Sequence, residues 1–160
     1  MSDPMLCIDR AGERDIPEML RILREVGAVH AEGRPDKFKA GACKYDDAAL
    51  RVILADDDQP VFCVRDGENL LATAYLQIRR VEENSVLCRR LTVYVDDFCV
   101  SSESRGQHVG THLMEHVIDY AREIGADNIL LNVYEFNTAA LRFYESLGMT
   151  TESRHMELAL

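Results

Sequence analysis

The residues with chemistry to offer fall in three places. Between Val100 and Gly110 the chain reads V-S-S-E-S-R-G-Q-H-V-G, with Arg105, Gly106 and Gly110 set between an apolar run and an amphipathic one. A loop that opens a helix presents unpaired backbone N–H groups and the positive end of the helix dipole. Glycines let a phosphate approach that backbone, so this stretch predicts an anion cradle. Just before it, two adjacent carboxylates, Asp96 and Asp97, interrupt an otherwise apolar run from Arg90 to Val100. Burying charge is costly. Either a bulge or splay with one carboxylate serving as a base, or a salt bridge to Arg79, Arg80, Arg89 or Arg90, accounts for them. Third, Asn137, Ala140, Leu141 and Tyr144 share one stripe at helical spacing. That stripe is either an amide, a gap and a proton-donating phenol facing a ligand, or ordinary core packing.

Around these groups the sequence predicts the elements that must hold them. Met5 to Ile8 reads as a first strand, and Asp15 as the cap of a helix from Ile16 to about Val29. The segment His30 to Cys43 carries Gly33, Pro35 and Gly41 and reads as a loop. Its His30, Arg34, Asp36 and Phe38 either wall a substrate pocket or sit on a surface connection. Asp46 or Asp47 caps a short second helix. Val61 to Arg65, Leu70 to Ile78 and Arg90 to Val100 form an antiparallel meander, with Asp66-Gly67 as a hairpin turn. The helix after the cradle, His108 to Ile124, ends at Gly125. With the strand from Asn128 to Tyr134 it completes one parallel crossover. Asn137 caps a last helix, Thr138 to Leu147, and Met149 to Leu158 reads as a final strand.

The totals bound the function. At 160 residues the chain favours one domain, 1–160, with a core of its own. Its net charge of −10 argues against nucleic acid as a partner and suits cationic amines, or serves solubility alone. Five scattered cysteines without C-x-x-C spacing suggest neither a metal site nor a disulfide framework, which fits a cytoplasmic protein. No run is long and apolar enough to span a bilayer. The cradle lacks the G-K-[ST] of a nucleotide triphosphate loop and the G-x-G-x-x-G of a dinucleotide site.

R-G-Q-H-V-G at Arg105 to Gly110 resembles the pyrophosphate loop of the GNAT superfamily of acyl-CoA-dependent N-acyltransferases. N-T-A-A-L-R-F-Y-E-S-L-G-M at Asn137 to Met149 resembles that family's second signature, and R-A-G-E-R-D-I at Arg10 to Ile16 its usual opening. The resemblance implies a mixed, mostly antiparallel α/β (α+β) sheet of six to seven strands, splayed between the fourth and fifth and flanked by about four helices. Acetyl-CoA would lie in the splay, its pantetheine arm paired with the backbone of Phe98, Cys99 and Val100. The pyrophosphate would meet backbone from Arg105, Gly106, Gln107, His108, Val109 and Gly110, with Thr111. Asn137 would bond the pantetheine arm, and Ala140 would leave room for it. A primary amine would attack the thioester directly, with Asp96 or Asp97 as base and Tyr144 protonating the departing thiolate. His30, Arg34, Phe38, Tyr75, Asn132 and Glu135 are candidates for the amine's pocket. The acceptor would be a small-molecule or protein amine, with no metal, no membrane and a possible homodimer. Two positions depart from the family: His108 stands where Gly is usual, and Ser102 where Pro is common. A non-catalytic acyl-CoA sensor is the alternative; the presence of Tyr144 and the carboxylate pair favours the enzyme.

Overall fold

The computed structural model describes residues 6–160. Five strands form one sheet in the order β1-β2-β3-β4-β5: β1 Cys7–Arg10, β2 Val61–Asp66, β3 Asn69–Val81, β4 Arg90–Val100 and β5 Asn128–Leu131. The first four pair antiparallel, and β4 pairs with β5 in parallel. Helices α1 Ile16–Gly33 and α2 Asp47–Leu54 cover one face; α3 Val109–Glu123 and α4 Thr138–Ser146 lie with the other.

The alternation along the strands builds two cores. Phe62, Val64, Ala72, Ala74, Leu76, Val93 and Val95 meet Val109, Leu113, Met114, Val117 and Ala121 of α3. Val61, Cys63, Leu70, Tyr75 and Cys99 meet Ile16, Met19, Ile22 and Leu23 of α1 and Leu50 and Ile53 of α2. These side chains are almost wholly removed from water, the main source of stability for such layers.

Several sequence expectations are corrected. The sheet has five strands among the described residues, not six to seven, because the expected last strand, Met149 to Leu158, has no strand structure. A strand needs partners for its N–H and C=O groups. Here the only ties described for residues 150–160 are ionic: Glu157 meets Arg34 and Lys37, each at 3.0 Å. The first strand begins at Cys7, and Met5 lies outside the described residues. Helix α1 runs a turn beyond Val29, so His30 stands on a helix and not in the loop. Asp15 does not cap α1 with its side chain. Its carboxylate accepts two hydrogen bonds from Arg65, both 2.7 Å, and one from the Gly12 N–H. A buried, bidentate pair thus pins β2 to the start of α1.

Candidate functional site

The site is made by an irregularity in β4. Tyr75 pairs with Asp97 but Leu76 pairs with Val95, so Asp96 is the extra residue of a bulge. Strand side chains alternate with period two, and one extra residue inverts the alternation. Val93 and Val95 therefore face α3, whereas Cys99 joins the core under α1 and both carboxylates meet one cation from the α1–α2 segment. Pairing with β5 ends at Val95↔Leu131, and β4 continues to Val100 paired only with β3. Backbone of residues 96–100 on the β5 side is left without a strand partner.

The cation is Lys44, between α1 and α2. Its Nζ donates to Asp96 Oδ2 at 2.8 Å and to Asp97 Oδ2 at 2.6 Å, and the Tyr45 hydroxyl also donates to Asp96. Burial pushes the Asp96 carboxyl up, but the hydrogen bonds from Lys44 and Tyr45 outweigh it and hold the group below its ordinary value. Asp97 goes the other way. Burial dominates, Lys44 offsets it only in part, and its carboxyl is held above the ordinary value. Two neighbouring carboxylates pushed apart in this way can divide the work of binding a cation and accepting a proton. The Tyr144 phenol is pushed up by burial, with the charges of Cys99 and Asp97 adding, and stays protonated at neutral pH. Its ring packs on Phe98 and Phe143, with centroids 6.3 and 5.2 Å away.

The cradle follows at once. A 3-10 turn, Ser102–Ser104, leads to His108 and then α3. No side chain caps α3 and no acidic residue stands in its first turn, so its leading N–H groups face outward. Gly110 is closely packed: a Cβ there would press on the Val100 side chain at 3.3 Å and touch Phe98 and Phe143 at 3.6 Å. His108 is the one residue other than glycine with positive φ among the described residues, at 60°. That left-handed backbone explains why glycine would suit the position. These features fit a pyrophosphate lying on the helix start and an extended arm beside the open edge of β4.

Residues 21–149 match the acetyltransferase (GNAT) family. The chain belongs to that family. GNAT members are acyl-transferring enzymes. Among GNAT relatives, streptothricin acetyltransferase of Streptomyces lavendulae is 38% identical over 60 residues, 38% of this chain and 31% of that protein. Thialysine N-epsilon-acetyltransferase of Bos taurus is 32% identical over 56 residues, 35% of this chain and 33% of its own. The matched stretch thus spans about a third of those relatives. A solved mutant of the BH1408 protein of Bacillus halodurans superposes with TM-score 0.92 at 29% identity, covering 96% of this chain and 99% of that one.

Against this GNAT frame the expected site residues divide. Asp96 and Asp97 are paired with Lys44, not with Arg79, Arg80, Arg89 or Arg90. Of those, Arg79 stacks on Tyr94, 3.4 Å from its ring centroid. Tyr75 is buried beneath α1 and does not face solvent. His30 and Phe38 come together, 5.1 Å between centroids, and Tyr134 packs on both. Arg34 is engaged by Asp36 and Glu157, as a tie for residues 150–160. Asn132 and Glu135 are exposed beyond β5. The Asn137 side chain caps α4 through the Ala140 N–H. Gln107 donates to the Glu103 carbonyl, and Arg105 is exposed. Sequence reasoning missed Lys44, Tyr45 and Tyr134. Only the aromatic spacing of V-Y-E-F after β5 offered a signal for any of them. Among the described residues no group of three or more His, Cys, Asp or Glu is placed to hold a metal ion, and no helix is long and apolar enough to cross a membrane.

Proposed function

We propose that this chain transfers an acetyl group from acetyl-CoA to a primary amine by direct attack, with both substrates held at the opening of the sheet. One observation carries the reading: at the Asp96 bulge, where β5 leaves β4, Asp97 has a raised pKa, and the half-buried, protonated Tyr144 phenol is close enough to feel its charge. The thioester of acetyl-CoA supplies the activated acyl group. The chain's residues do the rest. Backbone of Phe98, Cys99 and Val100 holds the extended arm, and the N–H groups from Arg105 to Gly110 with Thr111 hold the diphosphate. Asp97 takes the proton that a neutral-pH amine must lose, and Tyr144 holds the proton that the departing thiolate needs. Asp96, kept ionised, steadies the ammonium beforehand. The aromatic group of His30, Phe38 and Tyr134 walls the acceptor's approach. Cys99 is buried with its thiol pushed up by that burial, so it stays a thiol and is no nucleophile.

The acceptor is a small-molecule or protein amine, in keeping with an acidic chain and with a relative named for acetylating the ε-nitrogen of thialysine. Residues 1–160 act as one domain, in a cytoplasm that keeps the five cysteines as free thiols. The chain works as a homodimer. Support comes from the surfaces left least covered among the described residues. Strand β5 is an open edge, no residue of α4 is buried, and Met156 and Leu158 are 88% and 84% exposed.

The test is thiol release from acetyl-CoA across a panel of primary amines, run beside a titration with CoA. Amine-dependent release supports transfer. Tight CoA binding without release on any amine would instead mean a sensor, and stabilisation by ATP but not CoA would overturn the ligand altogether.

A further inference from the structure

Buried polar atoms in folded proteins are nearly always hydrogen-bonded. Among the described residues two buried side-chain atoms are not: Thr73 Oγ1 and Tyr75 Oη. Both residues are on β3, 0% and 2% exposed, and both share the α1 side of the sheet. Their partners across the ladder are Cys99 and Asp97. Burial, with the charges of Cys99, Asp97 and Tyr45 adding, pushes the Tyr75 phenol up, and Thr73 offsets this only in part. So two orphaned hydroxyls lie on the strand next to the carboxylates, Tyr75 directly across the ladder from Asp97, and a primary ammonium of the chain itself bridges the two carboxylates.

We propose that Asp96 and Asp97, with the hydroxyls of Thr73 and Tyr75 behind them, form the seat for the acceptor's ammonium group, and that Lys44 occupies this seat until the acceptor displaces it. This rests on the acetyltransferase reading above. An alkylammonium and a lysine side chain present the same group, three N–H donors on one nitrogen carried by an alkyl carbon. Exchange therefore remakes the bonds that it breaks. Lys44 is suited to leave: its side chain is 46% exposed and stands in a segment with neither helix nor strand. Its four-carbon stem is flexible and its ammonium hydrates readily. The orphaned hydroxyls select further. They reward an acceptor with a hydroxyl or second amine close to the reacting nitrogen, since leaving them unpaired is costly. The acceptor class is thus a cationic primary alkylamine with a neighbouring polar group, not an aniline and not an amino group beside a carboxylate.

The experiment uses Lys44→Ala, and Lys44→Met to keep the stem's packing. Thermal unfolding of each is followed in methylammonium chloride, tetramethylammonium chloride and sodium chloride at equal ionic strength. Methylammonium is expected to raise the midpoint of both variants saturably, sodium and tetramethylammonium not, and Asp97→Asn added to either variant to abolish the rise. Methylammonium acting no better than sodium would overturn the proposal. Steady-state transfer to ethanolamine and putrescine is measured alongside. If Lys44 fills the seat nine times in ten, its removal lowers KM about tenfold; an unchanged or raised KM would also overturn it. Should the wild-type chain acetylate no amine, the transfer reading fails by itself, and the methylammonium response still decides the seat.

Discussion

In the proposed mechanism Tyr144 and Asp97 carry opposite duties because their surroundings push the same way. Burial disfavours charge on both, so the phenol keeps its proton and the carboxylate regains affinity for one. Tyr144→Phe is expected to lower kcat about a hundredfold, the usual worth of a positioned acid. Its affinity for CoA should stay close to that of the wild type; equal kcat in the variant would remove Tyr144 from the chemistry. As the proposed base, Asp97 works only when ionised. Its raised pKa places the acid limb of kcat/KM above the ordinary aspartate range, and activity falls as pH drops through it. Asp97→Asn should lose that limb along with most of the rate, which a pH profile of both proteins will show.

At the level of elements, the cradle and the β2–α1 junction each hold a stated strain or pairing. His108 bears a left-handed backbone, which costs a side-chain-bearing residue roughly 1–2 kcal/mol. Glycine would relieve it and return about 0.5–1 kcal/mol as chain entropy. His108→Gly should therefore stabilise the fold by about 0.5–1 kcal/mol in urea unfolding; loss of stability would show that the imidazole makes a compensating contact. Asp15 and Arg65 form a buried pair, and removing one partner strands the other. Asp15→Asn is expected to cost about 3 kcal/mol at pH 7. Burial raises the Asp15 carboxyl, but the Arg65 hydrogen bonds prevail and lower it below its unfolded value. Its contribution is thus complete above an unfolded pKa of about 3.9 and is lost as pH falls through the lower folded value. The gap between wild type and variant should shrink on acidification, measured by urea unfolding at pH 7 and pH 3.

For the whole molecule, the uneven cover of the sheet is the telling feature. The side built from β1, β2 and β3 is closed by α1, α2 and α3, while β5 and α4 are only half-buried. Residues 150–160 are tied through Glu157 to Arg34 and Lys37 and expose Met156, Leu158 and Leu160. Light scattering after size exclusion should give a dimer mass for the full chain and a monomer mass when residues 150–160 are removed. A monomer mass for the full chain would sink the dimer.

Much of this molecule was legible in its residues. Glycine and arginine spacing before an amphipathic run marked the cradle, and helical spacing from Asn137 to Tyr144 marked the second motif, because both lie within one element and obey its period. The doublet Asp96-Asp97 signalled a disturbance in β4, and the bulge is there. Its consequence was not legible. Whether one extra residue inverts a strand's faces depends on the register that the neighbouring strand accepts. Lys44 stands more than fifty residues from the carboxylates it bridges, and nothing local marks it as their partner. The orphaned hydroxyls of Thr73 and Tyr75 exist only once β3 is buried under α1. The missing last strand has the same origin: an alternating stretch pairs only where an edge accepts it, and Glu157 ties this one to Arg34 and Lys37 instead. Spacing along the chain determined the residues of the proposed cofactor cradle. Closure of distant segments decided which groups gather at the proposed amine seat, since contact between remote residues is a property of packing and not of period.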